Sequence, residues 1–398
     1  MMSRSDQPRI LLILETYLPD IGGAEFHLYY LAKQLLARGY AVEIVTGCTD
    51  LKPDHQDICP VHRYPHAVGR RALPYALVWL FRFIRMFRQF DIIHVHHSSF
   101  LATIAVIAGR ITGRPVVVSL HGLGAHHSAV GRCPIRRFYR YLSLRGATRI
   151  IATSEELQAV AWRFAPAERV FFIPNGVDTK TFTPRQPRSF DHIGKELRLL
   201  TLRRLTLKHG VQFVIQALAA AGNRLAFTLR IAGDGPLRDT LERAVASHGL
   251  DDRVHFEGFL SHRQIIPVLE GCDVALFLST VESTSLAALE CMAMGCLVVC
   301  SNAGAYPRFI KHGVTGFMVD LFEDSTSRHD APESLDPSQV VRIVDTLVAI
   351  QHMAPTDLAK VVEQARGVVR ECFDWSVITE RTLTEAYLPL LTQKVIDC

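Results

Sequence analysis

Short apolar segments of strand length alternate with helix-length segments along this chain, in two separate series. The first series opens with a strand at Arg9–Leu14, a helix at Ala24–Arg38 stopped by Gly39, and a strand at Ala41–Thr46. It continues with strand Ile92–His96, helix Phe100–Arg110, strand Pro115–Leu120, a basic helical stretch Pro134–Arg145, strand Arg149–Ala152, helix Glu155–Phe164 and strand Val170–Ile173. Strands that read as unbroken Val/Ile/Leu runs are buried on both faces, and strand–helix–strand repeats of this kind build a parallel, doubly wound sheet. Pro174-Asn-Gly-Val-Asp178, followed by Pro184 and Pro187, breaks the rhythm and predicts a domain junction. The alternation then restarts at Leu197–Leu202 and runs through Phe227–Ala232, Val254–Phe256, Asp273–Leu278 and Leu297–Cys300. The expected fold class is α/β, with two doubly wound Rossmann-like domains over residues 1–183 and 184–374. Helical stretches follow at 334–350 and 356–372, and a last helix runs from Trp375 to about Leu391. The polar, proline-containing stretch Glu323–Asp336 reads as a mobile loop.

Composition narrows the class further. At 398 residues the chain can bury two full cores, and 48% hydrophobic with 21% charged residues is ordinary for a soluble globular protein. No run approaches the roughly 18 apolar residues of a membrane span. The N-terminal Met-Met-Ser-Arg-Ser-Asp runs straight into a strand, so no signal peptide is expected. Nine cysteines are scattered through predicted strands and helices. Cys291, Cys296 and Cys300 lack zinc-ligand spacing and have apolar neighbours, so they read as core thiols, and a cytoplasmic, reducing location follows. Charge is uneven: residues 1–185 carry a net +10 and the remainder a net −5. Between Asp91 and Glu155 there is no acidic residue, while Arg132, Arg136, Arg137, Arg140, Arg145 and Arg149 accumulate. That basic half suits an anionic lipid, a nucleic acid or a phosphorylated acceptor.

The stretch richest in chemistry is Glu282-Ser-Thr-Ser-Leu-Ala-Ala-Leu-Glu290, followed by Cys-Met-Ala-Met-Gly295. Strand Asp273–Ser279 precedes it, and Ser285–Met294 reads as a helix closed by Gly295. Glu282 then sits on a loop at the carboxyl end of a strand, where open α/β sheets bind ligands, and Glu290 lies inside the next helix. A glycosidase pair needs carboxyls about 5–10 Å apart. Eight helical residues rise about 12 Å, so two carboxylates serving different parts of an elongated ligand fit better. A carboxylate among Leu286, Leu289, Ala293 and Met294 costs several kcal/mol unless partnered, which argues against an idle Glu290.

This pattern resembles the retaining glycosyltransferases of family 4, whose signature is Glu, seven residues, Glu, then Ala-Met-Ala, a small residue and Gly. The resemblance extends over nearly the whole chain and implies the GT-B architecture: two Rossmann-like domains facing a cleft, with the last helix (about 375–398) crossing back to the first. It implies that Glu290 binds the ribose hydroxyls of a nucleotide-diphosphate sugar and that Glu282 lies near the transferred sugar. The commonest form has Glu-Gly-Phe-Gly, whereas Ser283, Thr284 and Ser285 stand here. Backbone amides of Thr284, Ser285 and Leu286 can still face an anion, and a hydroxyl adds a donor.

Other positions fit the same reading. Leu202-Arg203-Arg204-Leu205-Thr-Leu-Lys208-His-Gly210 follows the first strand of the second domain. A departing diphosphate needs its charge stabilised, and Arg and Lys supply charge-assisted bonds of about 1.5–3 kcal/mol each. Arg204 and Lys208 match the family's Arg-Leu…Lys-Gly, with Arg203 where a glycine is usual. Gly22-Gly23-Ala-Glu25 follows the first strand at a helix start, where backbone amides favour an anion. The family's glycine loop, lining donor phosphate and acceptor, falls here. His121 ends strand Pro115–Leu120, and in the family a histidine at this place contacts the transferred sugar. His126 and His127 are nearby, and His94, His96 and His97 form another cluster with no acidic partner, so no metal is assigned. Gly233-Asp-Gly-Pro-Leu-Arg238 reads as a strand-to-helix turn near the donor. Arg253–Leu260, including Phe259, matches the segment that reads the nucleotide base. Gly304-Ala-Tyr-Pro307 reads as structural.

The stretch Arg70–Arg88 is basic and aromatic. Arg82, Arg85 and Arg88 share a side, and Trp79, Phe83, Ile84 and Phe87 supply apolar bulk. It is either a helix packed on the sheet or a membrane-surface helix reaching a lipid-linked acceptor. The functional expectation is a retaining hexosyltransferase with a glycan or lipid-linked acceptor, at the inner face of the cell membrane, needing no metal and binding no nucleic acid. A nucleotide-sugar epimerase, or a non-catalytic sugar-nucleotide-binding protein favoured by the Ser-Thr-Ser replacement, is the alternative. A phosphorylase is disfavoured by short length and the lack of a lysine-cofactor segment.

Overall fold

The computed structural model describes residues 7–18, 23–47, 57–64, 72–121, 134–282, 284–322 and 331–396. The chain forms two compact α/β units, Met1–Gly176 with Trp375–Cys398, and Val177–Asp374.

The first domain is built on seven parallel strands: β1 (Arg9–Leu14), β2 (Ala41–Gly47), β3 (Val61–Tyr64), β4 (Ile92–His96), β5 (Val116–Leu120), β6 (Arg149–Ala152) and β7 (Val170–Phe172). Their order in the sheet is β3-β2-β1-β4-β5-β6-β7. Ile10 lies opposite Val42 on one side and Ile92 on the other, which fixes the central register. Helices α1 (Gly23–Ala37), α2 (Ala72–Phe87), α3 (Phe100–Thr112), α4 (Pro134–Gly146) and α5 (Glu155–Trp162) connect the strands. Alternate side chains serve opposite faces. Leu11, Ile13, Val45, Ile93 and Val95 meet Trp79, Phe83 and Phe87 of α2 and the apolar side of α3. Ile10, Leu12, Leu14 and Ile44 meet Leu28 and Leu31 of α1.

The second domain has six parallel strands: β8 (Leu197–Leu202), β9 (Phe227–Ala232), β10 (Val254–Gly258), β11 (Val274–Phe277), β12 (Leu297–Ser301) and β13 (Phe317–Val319). Their order is β10-β9-β8-β11-β12-β13. Its helices are α6 (Val211–Ala221), α7 (Arg238–Ser247), α8 (His262–Glu270), α9 (Leu286–Ala293), α10 (Pro337–His352) and α11 (Pro355–Val368). Cys272, Cys291, Cys296 and Cys300 are buried free thiols among apolar side chains, as expected of core cysteines.

After the second domain the chain returns to the first as α12 (Trp375–Arg381), a π-helical turn at Thr382–Tyr387 and α13 (Leu388–Ile396). Trp375, Ile378, Leu383 and Tyr387 join the α1 core, where each large apolar side chain contributes about 1.5–3 kcal/mol. Trp375 stacks on Tyr30 with centroids 5.5 Å apart. Arg381 also donates to the Phe172 carbonyl at 2.6 Å, and Arg149 to that of Glu385 at 2.9 Å.

Two strands escape the hydrophobic reading. β3 is a half-buried sheet edge with sequence Val-His-Arg-Tyr, and β13 is only three residues long at the other domain's edge. Edge strands lose one covered side and with it the apolar run. Most of the predicted loop Glu323–Asp336 lies outside the described residues; its end, Asp336, caps α10 by accepting from Ser338 and Gln339 amides.

Candidate functional site

In the second sheet the order reverses between β8 and β11, and the loops leaving their carboxyl ends turn in opposite directions, making the switch point at which open α/β sheets bind ligands. The β8 loop passes Arg203 and Arg204 into a single 3-10 turn, Leu207–His209, closed by Gly210. The β11 loop runs from Leu278 to Ser285. These loops are knitted together: the Thr280 amide donates to the Lys208 carbonyl at 2.9 Å. Gly210, at φ 69°, lies so close that any side chain would strike the Leu278 carbonyl. Ser285 caps α9, its hydroxyl accepting from the Ala288 amide at 3.3 Å. Glu290 sits half-buried between the buried Leu289 and Cys291 of the same helix.

Glu282 is nearly enclosed, its side chain 10% exposed, and Oε2 stands 2.6 Å from Nη1 of Arg203. Tyr306, in the 3-10 turn after β12, donates its hydroxyl to the same Oε2 at 3.4 Å and in turn accepts from Nη2 of Arg203. The guanidinium also covers the Phe277 ring at 4.8 Å. Burial works to lower the Arg203 pKa, but the Glu282 and Tyr306 oxygens outweigh it and hold the pKa above the ordinary value. Burial raises the Tyr306 phenol far above its usual range, so it acts as a neutral donor. Arg204 and Lys208 are exposed, and neither forms an ion pair among the described residues. Beside them His209 is driven down to about 2, by burial first and then by Arg203, Lys208 and Arg204, and is therefore uncharged.

In the first sheet the order reverses between β1 and β4. Residues two apart on β4 share a face, so His94 and His96 both point toward α1. His96 Nδ1 lies 2.8 Å from Nε2 of His121, which follows β5. His27 of α1 meets the His121 ring at 4.4 Å and hydrogen-bonds Asn175 Oδ1 at 2.9 Å. His94 is held between the Tyr387 hydroxyl at 2.6 Å and Ser119 Oγ at 2.7 Å. Burial lowers His27 to about 4 and, with help from the neighbouring His27, His94 to about 3. It also takes His96 and His121 well below 6.5, so all four are neutral near pH 7. His97 adopts φ 91°, a strained conformation costing on the order of 1–3 kcal/mol that clusters at ligand sites. Buried His96 Nε2 and His121 Nδ1 find no hydrogen-bond partner among the described residues, so they can bond a ligand hydroxyl. One nitrogen each from His27, His96 and His121 lies within 4.8 Å of the others, a set able to ligate a borderline metal. Such ligation competes with the His96–His121 bond.

Residues 21–181 match the family described as Glycosyltransferase Family 4, and residues 182–330 match Glycosyl transferases group 1. The chain belongs to the family 4 glycosyltransferases. It is 26% identical over 393 residues to a phosphatidylinositol N-acetylglucosaminyltransferase polypeptide of Arabidopsis thaliana, covering 96% of this chain and 82% of that one. It is 28% identical over 323 residues to alpha-D-kanosaminyltransferase of Streptomyces kanamyceticus, covering 74% and 82% respectively. Anabaena HepE, solved in complex with UDP and glucose, shares the fold with a TM-score of 0.73 at 21% identity over 98% of this chain and 100% of that one. The expected GT-B fold class is therefore present, and this glycosyltransferase is a transferase enzyme. None of these relatives favours the epimerase or non-catalytic alternatives.

For this glycosyltransferase, the structure brings Arg204, Lys208, Glu282, Thr284, Ser285, Leu286 and Glu290 to one switch point of the second sheet. Thr284 and Ser285 are buried and Leu286 opens α9. Phe259 follows β10 at the same strand ends and is 60% exposed. Gly23 starts α1, the helix that delivers His27 to His121. Gly22, His126 and His127 lie outside the described residues. Three participants escaped the sequence reading. Tyr306, read as structural, touches Glu282; Arg203, read as a replaced glycine, is the buried cation; His27 looked like an ordinary helix residue. In each case a pairing distant in sequence carries the signal.

One expectation is corrected. Trp79, Phe83 and Phe87 of α2 face the core, so they cannot be the apolar side of a surface-bound helix. Leu77, Val78 and Phe81 are exposed instead, next to Arg82, Arg85 and Arg88.

Proposed function

We propose that this enzyme transfers a hexosyl unit, with retention of anomeric configuration, from a nucleotide-diphosphate sugar to a glycan or lipid-linked acceptor in envelope polysaccharide or glycolipid synthesis. The observation that carries the reading is the second-domain switch point. There Arg204 and Lys208, exposed cations with no ion pair among the described residues, share knitted loops with a buried carboxylate, Glu282, and a capped helix bearing Glu290. Arg204 and Lys208 neutralise the departing diphosphate, with the first-turn amides of α9 assisting. Glu290 accepts from the ribose hydroxyls, and Thr284, Ser285, Leu286 and Phe259 border the nucleotide. Glu282 orients the sugar. In the first domain, His121 supplies a neutral imidazole to a sugar hydroxyl, and the Gly22-Gly23 turn lies along the phosphate and acceptor. The complex of HepE with UDP and glucose supports a uridine donor as the first to test.

No metal is required in this scheme, because fixed cations meet the diphosphate charge. No helix among the described residues is long and apolar enough to cross a membrane. Leu77, Val78 and Phe81 of α2, with Ile107 and Ile111 of α3 and Ile135 and Phe138 of α4, are exposed on helices that pack side by side and carry many arginines. That face rests on the anionic inner surface of the cell membrane, where a lipid-linked acceptor is presented, and the enzyme works from the cytoplasmic side.

The test is a panel of UDP-, GDP- and ADP-sugars incubated with lipid-linked acceptors, with and without EDTA. Nucleotide release that depends on acceptor, an α-linked product from an α-linked donor and indifference to EDTA are expected. Epimerised donor, or binding without turnover, contradicts the reading.

A further inference from the structure

We infer that Arg203 is a positioning residue for Glu282, fixing the carboxylate so that a single oxygen is offered to the donor sugar; this rests on the reading that Glu282 faces that sugar. Arg203 Nη1 and the Tyr306 hydroxyl both bond Oε2, and Arg203 Nη2 closes the triangle on Tyr306. Oε1 meets no partner among the described residues and is left to accept one hydroxyl hydrogen. The backbone is held as firmly: the Ala305 amide donates to the Glu282 carbonyl at 3.1 Å, and Gly304 at φ 63° packs against that peptide so closely that no side chain fits.

Stability does not explain the arrangement. Burying an ion pair gains little over an apolar pair of the same volume, whereas it fixes geometry. Two departures from the family pattern meet at this carboxylate. Ser283-Thr284-Ser285 replaces a glycine-containing turn that could wrap the sugar with backbone amides, and Arg203 replaces a glycine on the neighbouring strand. The lost backbone adaptability on one side is matched by a gained guanidinium on the other. The fork geometry of Arg lets it reach the carboxylate and the phenol together, which a lysine ammonium does less well.

The experiment uses the full chain with UDP-glucose, UDP-N-acetylglucosamine, GDP-mannose and ADP-glucose, comparing wild type with Arg203→Met, Arg203→Lys and Tyr306→Phe. For any donor that the wild type turns over, Arg203→Met is expected to lower kcat about 100-fold, the scale of a misplaced group, while KM stays within about threefold. Arg203→Lys is expected to recover about tenfold of that loss by restoring the charge. Tyr306→Phe is expected to fall between wild type and Arg203→Met. A kcat for Arg203→Met within about threefold of wild type overturns the proposal, as does a loss confined to KM. A second measurement needs no donor: a double-mutant cycle of thermal unfolding on Arg203→Met and Glu282→Gln. Strong non-additivity supports the clamp, and additive losses overturn it. Absence of turnover by the wild type with every donor counts against the proposed function, while the cycle still decides the clamp.

Discussion

The two domains place polar groups at the same point of two similar sheets, the reversal of strand order, yet they equip it differently. In the first domain the reversal gathers His27, His94, His96 and His121, all held neutral by burial. In the second it gathers Arg203, Arg204, Lys208, Glu282 and Glu290, whose task is charge. The difference teaches a division of labour. Neutral imidazoles donate or accept a hydrogen bond without attracting a counter-ion, which suits hydroxyl groups. Fixed cations suit a diphosphate, whose charge grows as its bond to the sugar breaks.

The comparison can be broken most forcefully at Glu282. Glu282→Ala strands the buried Arg203 guanidinium, and a loss of about 3–5 kcal/mol is expected in denaturant unfolding. The paired change Arg203→Met with Glu282→Met is expected to recover most of it. A small loss for Glu282→Ala alone means the ion pair is not buried as described.

Acid sharpens the contrast next. Unfolded histidine takes a proton near 6.5, whereas folded His27 and His94 resist until about 4 and about 3. Between those values the unfolded state binds more protons, so stability falls as pH falls, by about 1.4 kcal/mol per pH unit for each such histidine. The loss begins below about pH 6.5 and continues to the folded pKa values. Chemical denaturation from pH 7 to 4 checks it, and His94→Gln is expected to flatten the slope. A flat profile in the wild type contradicts burial of the neutral cluster.

Smaller effects probe single contacts. Tyr387→Phe leaves His94 Nδ1 without its 2.6 Å partner, and a loss of about 1–2 kcal/mol is expected. Arg85→Gln on the exposed side of α2 is expected to weaken binding to anionic vesicles by about 1 kcal/mol, with the difference vanishing in high salt. Equal binding of both proteins at low salt removes that face from the membrane account.

Most of the architecture was legible in the sequence because central parallel strands are buried on both faces and therefore spell continuous apolar runs. β1, β4, β5, β8 and β11 follow that rule, whereas β3 and β13 at the edges do not. The positions of Arg204, Lys208, Glu282 and Glu290 were legible from spacing, since strand ends and helix starts follow from the same periodicity. Tyr306 and Arg203 were not, because their significance lies in a contact between residues 103 positions apart. Nor did periodicity decide the face of α2: its sequence is apolar nearly all round, and only packing against Ile93 and Val95 shows which aromatics turn inward.

Thermal unfolding with UDP-, GDP- and ADP-sugars, on wild type, Glu290→Ala and Lys208→Ala, tests most directly whether the charged switch point holds the donor. One nucleotide class is expected to raise the wild-type melting temperature, and both substitutions are expected to abolish most of that rise. A rise of equal size in all three proteins means the donor binds elsewhere and contradicts the account.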